Sequence, residues 1–146
     1  MKGSVLITGA SAGFGKACAE RFSKEGRPLV LAARRRQRLE ALKEALSART
    51  PVHILELDVR VKKAVEAAMA GLPEGFSDIG VLVNNAGLAL GLSPSHEADL
   101  SDWETMIDTN IKGLTYCTRF VLPKMVENNR GHIVNIGSTA GDWPYP

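Results

Sequence analysis

The sequence contains few cysteines and histidines, and they form no disulfide or metal-ligand pattern. Cys18 and Cys117 stand far apart, and neither belongs to a CxxC pair or a Cys/His cluster. The sequence therefore predicts reduced thiols. His53, His96 and His132 lack ligand spacing and have no neighbouring nucleophile. Structural roles are predicted for these histidines, and no metal site is expected.

Long apolar runs and an excess of one charge are also missing. No stretch approaches the roughly 18 apolar residues of a membrane-spanning helix, and the segment before the glycine-rich turn, Met1 to Ile7, is too short for the apolar region of a signal sequence. Eighteen basic residues against sixteen acidic ones give a net charge of +2, too balanced to suggest nucleic-acid binding. The expectation is a cytoplasmic protein of one globular domain, residues 1–146, that binds neither membrane nor nucleic acid.

Short apolar runs alternate along the chain with longer segments of helical period. Their hydrophobicity is continuous, which is typical of strands buried on both faces of a parallel sheet. The order predicts an α/β fold, a doubly wound parallel sheet of the Rossmann type with right-handed crossovers. The predicted strands are Val5 to Thr8, Leu29 to Ala33, Val52 to Leu57, Ile79 to Asn84 and His132 to Gly137.

Apolar residues at helical spacing predict the faces that the connecting helices bury. The predicted stripes are Phe14, Ala17, Cys18 and Phe22; Leu39, Leu42 and Leu46; and Val61, Ala64, Val65, Ala68, Met69 and Leu72.

The longest helix is predicted from Ser101, as N-cap, to near Asn128. Its predicted buried stripe consists of Trp103, Met106, Ile107, Ile111, Leu114, Cys117 and Val121. Asn110 falls on the same stripe, and a buried amide costs about 1–3 kcal/mol unless it is hydrogen-bonded. Position alone leaves two interpretations about equal. Asn110 satisfies a loop carbonyl, or it bonds a kinked backbone or an ordered water near a functional site.

A glycine-rich turn, Thr8 to Gly15, joins the first predicted strand to the first helix. Glycines at this place allow a tight turn and let a pyrophosphate approach the positive N-terminus of the helix. Glycine can also serve turn geometry alone, but the strand-turn-helix context favours dinucleotide binding. The spacing is GxxxGxG rather than GxGxxG.

The residues at the end of the second predicted strand indicate whether the chain binds NAD or NADP. Folds that prefer NAD place an acid there to hold the ribose hydroxyls. Here the strand ends at Ala33 and continues with Arg34 and Arg35. Guanidinium groups bind a 2′-phosphate by charge-assisted hydrogen bonds, which a carboxylate would repel. The sequence favours NADP, although a solvated helix start also explains a basic cluster.

The motifs occur in a characteristic order: Thr8 to Gly15, Asp58-Val59, Asn84 to Gly87, Asn110 and Gly137-Ser138. In this order the whole chain resembles the short-chain dehydrogenase/reductase family. The resemblance implies that Asp58 contacts adenine and that Asn84 to Gly87 brace the sheet along the cofactor. It makes Ser138 the catalytic and substrate-binding hydroxyl and Asn110 a catalytic member of the proton relay. The predicted cofactor-binding residues are Gly9, Ser11, Ala12, Gly13, Phe14, Gly15, Arg34, Arg35, Asp58, Val59, Asn84, Asn85, Ala86 and Gly87.

Three longer segments resemble one branch of that family: Asn84 to Gly91, Asp102 to Asn110 and Gly137 to Tyr145. This branch oxidises small 3-hydroxy acids such as serine, L-allo-threonine, 3-hydroxyisobutyrate and 3-hydroxypropionate, the last giving malonic semialdehyde. The resemblance also implies a homo-oligomer, specifically a homotetramer. No carboxylate-binding residue can be identified from the sequence.

The family's base, a tyrosine in YxxxK, has no counterpart here. Tyr145 lies in a Trp-Pro-Tyr-Pro run without a following lysine. An unassisted phenol titrates near 10, so Tyr145 is interpreted as a loop or packing residue. The resemblance therefore implies an incomplete family domain, truncated before its catalytic tyrosine and lysine. The alternative to a hydride-transfer enzyme is a non-catalytic NADP-binding sensor or oligomerisation module. Ser138 is no hydrolase nucleophile, since no GxSxG elbow surrounds it.

Overall fold

A computed structural model describes residues 3–141 of the chain. Five parallel strands form one sheet in the order β3-β2-β1-β4-β5, which confirms the predicted fold class. The strands are β1 (Ser4–Thr8), β2 (Leu29–Ala33), β3 (Val52–Glu56), β4 (Ile79–Asn84) and β5 (His132–Asn135). The helices are α1 (Gly13–Ser23), α2 (Arg36–Leu46), α3 (Lys62–Ala70), α4 (Leu100–Ile107) and α5 (Leu114–Glu127).

The three central strands are buried on both faces, as their uninterrupted hydrophobicity predicts, whereas the same prediction was wrong for the edge strands β3 and β5, which are only partly buried. Every residue of β1, β2 and β4 is buried. Alternate residues of β1 serve different cores: Val5 and Ile7 pack with α2 on one face, and Leu6 packs with α3 and α5 on the other. Because strand order reverses between β1 and β4, a crevice opens where their carboxyl ends diverge.

The long predicted helix exists, but a π-helical turn (Asp108–Gly113) interrupts it between α4 and α5. Its N-cap is Asp99, whose carboxylate accepts a hydrogen bond from the Ser101 amide at 2.9 Å. The sequence had predicted Ser101 as the N-cap, two residues too late in the chain.

The predicted buried stripe of this helix was partly wrong. Cys117 and Val121 are buried, whereas Trp103, Ile107 and Ile111 are 41%, 47% and 60% exposed. Two causes explain the difference. α4 buries none of its residues, and the wider π turn changes the angular position of every residue that follows it. The residues buried along the π turn and α5 are Thr109, Gly113, Cys117, Val121 and Met125.

The buried faces predicted for the other helices were confirmed only in part. Leu39, Leu42 and Leu46 are all buried, as predicted. Phe14 is 77% exposed and lines the cavity described below, and Val61, the N-cap of α3, is 51% exposed. Ala17 is also exposed, and α1 instead buries Gly15, Ala19 and Ser23. Within residues 3–141, no helix combines the length and apolar character needed to cross a membrane.

Candidate cofactor-binding and catalytic site

A cavity of about 890 Å³ lies at the crevice between the carboxyl ends of β1 and β4. All the predicted site residues line it except Gly15. Further wall residues are Ala32, Ala33, Leu57, Leu88, Ala89, Met106, Thr109, Leu114, Asn135, Ile136, Gly137 and Ala140. The fold thus brings together segments that lie up to 129 residues apart in the chain, from Gly9 to Ser138.

The glycines of the turn after β1 have different roles. A Cβ on Gly15 would lie 2.5 Å from Asn85 Nδ2 and from the Gly9 oxygen, and one on Gly9 would lie 2.8 Å from the same Asn85 nitrogen. Glycine is therefore needed at both positions for packing against the segment after β4. Gly13 has a positive φ of 53°, and a Cβ on it would meet no atom within 4 Å, so its backbone faces open space at the cavity.

The N-terminus of α1 is open toward a ligand. Its N-cap residue Ala12 makes no side-chain hydrogen bond, and the first turn contains no acidic residue. The first amides of a helix have no partner within the helix, and they carry its positive dipole end. This end, beside the cavity-lining Ser11 and Gly13, suits an anionic group such as a phosphate.

Positive side chains stand at the end of β2. Ala33 occupies the last strand position, and Arg34 and Arg35 follow at the cavity wall. Arg35 donates a hydrogen bond from Nη2 to the Ser11 hydroxyl at 3.0 Å, so a guanidinium group reaches across to the glycine-rich turn. At the end of β2, where a ribose would lie, Arg34 and Arg35 offer charged hydrogen-bond donors and the strand offers no carboxylate.

Asp58 follows β3 and forms a close ion pair with Arg60. The hydrogen bonds from Arg60 hold the pKa of the Asp58 carboxyl below its ordinary value, with a smaller contribution from the positive charge of Arg34. Asp58 therefore stays ionised at neutral pH.

Residues after β4 tie that strand to β1. The Thr8 hydroxyl donates to the Val83 oxygen and accepts from the amides of Asn85 and Ala86, both at 3.0 Å. Asn85 Nδ2 donates to the backbone oxygens of Thr8 at 3.0 Å and Gly9 at 3.2 Å. These bonds fix the two loops that form the cavity floor relative to each other.

Asn84 joins three elements behind that floor. Its Nδ2 donates to Thr118 Oγ1 of α5 at 3.0 Å and to Asn135 Oδ1 of β5 at 2.9 Å. Sequence reasoning missed Thr118 and Asn135, because only the register that sets Asn84 opposite Asn135 reveals the pairing. Asn84 Oδ1 and Thr109 Oγ1 are buried and have no hydrogen-bond partner among the described residues. Since both residues line the cavity, its wall fits a polar ligand.

Asn110 lies in the π turn and is exposed, so its predicted burial was wrong. Its Oδ1 accepts from the Leu88 amide at 2.9 Å, and its Nδ2 donates to the Leu88 oxygen at 2.8 Å. The side chain therefore satisfies a loop carbonyl and also belongs to a distorted helix at the cavity, which combines features of both interpretations.

Ser138 lies between β5 and a short 3₁₀ turn, Thr139–Gly141. Its hydroxyl oxygen accepts from the Ala140 amide at 3.1 Å, which orients the group and leaves its proton for another acceptor. Ser138 and Asn110 both line the cavity. Tyr145, the loop or packing residue predicted from the sequence, lies outside the described residues.

Two further titratable residues, His53 and Cys117, do not line the cavity. Burial, followed by the charge of Lys43, lowers the pKa of His53, whose ring lies 5.5 Å from that of Phe76. Desolvation raises the pKa of the Cys117 thiol to about 12. Among residues 3–141, no group of three or more His, Cys, Asp or Glu side chains is placed to hold a metal ion.

Comparison with known protein families identifies the family to which the chain belongs. The sequence pattern of the family described as short chain dehydrogenase matches residues 3–146. The chain belongs to the short chain dehydrogenase family.

Within this family the chain is similar to several named members. It is 60% identical over 141 residues to the NADP-dependent 3-hydroxy acid dehydrogenase YdfG of Salmonella typhi, covering 97% of the chain and 56% of that protein. It is 54% identical over 147 residues to a sulfoacetaldehyde reductase of Chromohalobacter salexigens, covering 100% of the chain and 58% of that protein.

The fold is likewise similar to solved structures. The closed form of serine dehydrogenase complexed with NADP+ matches with a TM-score of 0.90 and 55% identity, over 97% of this chain and 56% of that one. The chain therefore spans little more than half the length of these three relatives.

Proposed function

We propose that the complete protein is an NADP-dependent oxidoreductase that transfers a hydride between NADP(H) and a small 3-hydroxy acid. One observation carries this proposal. The uncapped N-terminus of α1, the arginines after β2 and the Ser138 hydroxyl all border one cavity at the switch point of a parallel sheet. The cavity therefore offers one suitable group each for the pyrophosphate, the 2′-phosphate and the substrate oxygen.

Each of these residues has a separate part in the proposal. The turn from Gly9 to Gly15 holds the pyrophosphate, Arg34 and Arg35 hold the 2′-phosphate, and Asp58 with Val59 holds the adenine ring. The segment from Asn84 to Gly87 lies along the nicotinamide half. Bound NADP would supply the hydride acceptor, which none of the described side chains can provide. Residues 1–146 form the NADP-binding domain of the protein.

Ser138 is the group proposed to hold the substrate oxygen. Its proton is directed away from the Ala140 amide, so it donates to the oxygen of an alcohol or carbonyl substrate. Asn110, fixed to Leu88 in the π turn, takes part in the proton relay. Hydrogen bonds that strengthen as charge develops on the substrate oxygen raise the turnover rate more than they raise affinity.

The names of the relatives support an acidic substrate of small size. One relative is named a 3-hydroxy acid dehydrogenase and another a sulfoacetaldehyde reductase, so the substrate in each name has an anionic end, and sulfoacetaldehyde is small. The higher identity to the first favours hydroxy acids such as serine, L-allo-threonine, 3-hydroxyisobutyrate or 3-hydroxypropionate. Relatives named as dehydrogenases and reductases also favour an enzyme over a non-catalytic sensor or oligomerisation module. A cytoplasmic homotetramer is the proposed form of the protein.

The test is NADPH formation by the complete protein with each hydroxy acid, beside reduction of malonic semialdehyde and sulfoacetaldehyde. We expect turnover with NADP and a lower kcat/KM with NAD. In Ser138→Ala we expect a turnover at least about a hundredfold lower and nearly unchanged NADP affinity. Absence of turnover with all of these acids and aldehydes would contradict the substrate class. Equal losses of cofactor binding and rate in Ser138→Ala would make Ser138 a structural residue.

A further inference from the structure

Arg60 binds the carboxylate of Asp58, two positions before it in the chain, with both its backbone amide and its guanidinium group. Its backbone amide and its Nε each donate to Asp58 Oδ1 at 3.0 Å. The Nε also reaches Oδ2 at 3.0 Å, and Nη2 donates to Oδ2 at 2.6 Å. The side chains are 33% and 26% exposed, so the pair is partly shielded from water. Such contacts fix both the position and the plane of the carboxylate.

The two residues face different surroundings. Asp58 lines the cavity, whereas Arg60 does not. Arg60 is also attracted by Asp108 of the π turn, which lies on another element. Arg60 therefore approaches the carboxylate from outside the cavity and leaves Asp58 accessible from the cavity. The same contacts keep Asp58 ionised, so that it can only accept hydrogen bonds.

The number of acceptor positions left on the carboxylate is small. An ionised carboxylate accepts about four hydrogen bonds. The Arg60 amide, Nε and Nη2 are three donors that make four contacts, because Nε is shared between the two oxygens. This leaves room for at most one further donor, and that donor must come from the cavity. A purine with a 6-amino group offers such a donor, whereas a 6-oxo purine would set an oxygen against the carboxylate.

We propose that Arg60 is a positioning residue that lets the site select adenine over 6-oxo purines, by holding Asp58 as a single, fixed acceptor. The proposal rests on the proposed function, which assigns the adenine end of NADP to Asp58. Arginine suits this task because its planar fork fixes a carboxylate in two directions, while a lysine ammonium is a point charge that leaves the carboxylate free to turn.

The experiment compares two dinucleotides by calorimetry on the complete protein. One is NADP, and the other is its hypoxanthine analogue, in which the 6-amino group is replaced by an oxygen. We expect the unmodified protein to prefer NADP by about tenfold or more. In Arg60→Met we expect NADP to bind roughly tenfold more weakly, whereas the affinity for the analogue changes by less than about threefold. A general loss of folding or of phosphate binding would weaken both ligands equally.

Three further variants separate geometry, charge and surface effects. Arg60→Lys keeps the charge but not the fork, and we expect it to lose the preference as Arg60→Met does. Asp58→Ala removes the acceptor and should lose the preference too. Lys63→Met removes an exposed charge at the start of α3, three residues after Arg60, and should keep it. Thermal melting of each variant confirms that it is folded.

The outcomes distinguish the two proposals. A full preference in Arg60→Met or Arg60→Lys would overturn the role of Arg60 while leaving Asp58 as the adenine contact. An equal loss of both ligands in Arg60→Met would also overturn it. If the unmodified protein binds both dinucleotides equally, or Asp58→Ala keeps the preference, the assignment of adenine to Asp58 fails and the role of Arg60 with it.

Discussion

The carboxamide of Asn110 makes a matched pair of hydrogen bonds to the main chain of Leu88, accepting from its N–H at 2.9 Å and donating to its oxygen at 2.8 Å. This pair joins the π turn to the loop after β4, and both line the cavity. π turns inside α-helices occur frequently at functional sites. Here the turn places the Asn110 carboxamide beside the loop after β4, which has no regular secondary structure.

Asn110→Leu should release that loop. Both bonds to Leu88 are lost, and we expect hydrogen exchange at the Leu88 amide to accelerate by about two- to tenfold, which corresponds to about 0.5–1.5 kcal/mol for an exposed bond. Turnover should fall further than NADP affinity. Asn110→Asp is the matched control, because its carboxylate still accepts from the Leu88 N–H. Unchanged exchange in Asn110→Leu would show that the loop is held by other contacts.

The arginines after β2 should determine the choice of dinucleotide. Removal of Arg34 should weaken NADP binding by about 1.5–3 kcal/mol, or roughly tenfold to over a hundredfold, because a charge-assisted bond to the 2′-phosphate is lost. NAD binding should barely change. Titration of the complete protein with both dinucleotides measures this, with Arg119→Ala on the exposed side of α5 as control. A preference for NAD in the unmodified protein would contradict the proposed cofactor.

Thr118→Val should destabilise the fold through Asn84. The substitution keeps the shape of the side chain but removes the oxygen that accepts from the buried Asn84 amide. We expect a loss of about 1–3 kcal/mol in the free energy of unfolding. Urea denaturation of the complete protein measures it. Thr115→Val, an exposed isosteric change on the same helix, should cost less than about 0.5 kcal/mol. Equal stability of the two variants would mean that Asn84 finds another partner.

Cys117 should make stability fall in alkaline solution. Burial raises the pKa of its thiol from 9.0 to about 12. Because the pKa is higher in the folded protein, the contribution of Cys117 is complete below pH 9 and is lost as the pH rises toward 12. Cys117→Val should flatten the decline of melting temperature over this interval. Alkylation at about pH 8 should spare Cys117 until the protein is unfolded in urea. Rapid labelling of native Cys117 would contradict its burial.

The fold was predictable from the sequence where the pattern is local. Apolar runs placed the ends of β1, β2 and β4 correctly, at Thr8, Ala33 and Asn84, because strands buried on both faces must be apolar throughout. The end of the edge strand β3 was placed within one residue of Glu56. The end of β5 was placed two residues too far, at Gly137 rather than Asn135. The apolar Ile136 follows Asn135 and continues the pattern past the last residue of the strand.

The candidate site was predictable as a set of motifs but not as a set of contacts. The π turn carries no compositional signal, so the apolar stripe around Ile107 and Ile111 was extrapolated through it with the wrong rotation. The roles of Thr118 and Asn135 depend on partners 34 and 51 residues away, which only strand register and helix docking determine. Arg60 was likewise overlooked, because an ion pair two residues apart looks the same in sequence as two solvated charges.

The packing of Gly9 and Gly15 against Asn85 has a thermodynamic consequence for ligand binding. Side chains cannot be added at either glycine without moving the segment after β4, so the turn is held in one shape by the same contacts that hold β1 beside β4. Its conformational entropy is lost when the chain folds and not when a ligand arrives. Affinity at this turn is therefore linked to the integrity of the sheet. A substitution in the core that loosens the pairing of β1 with β4 would weaken dinucleotide binding without touching any atom of the ligand.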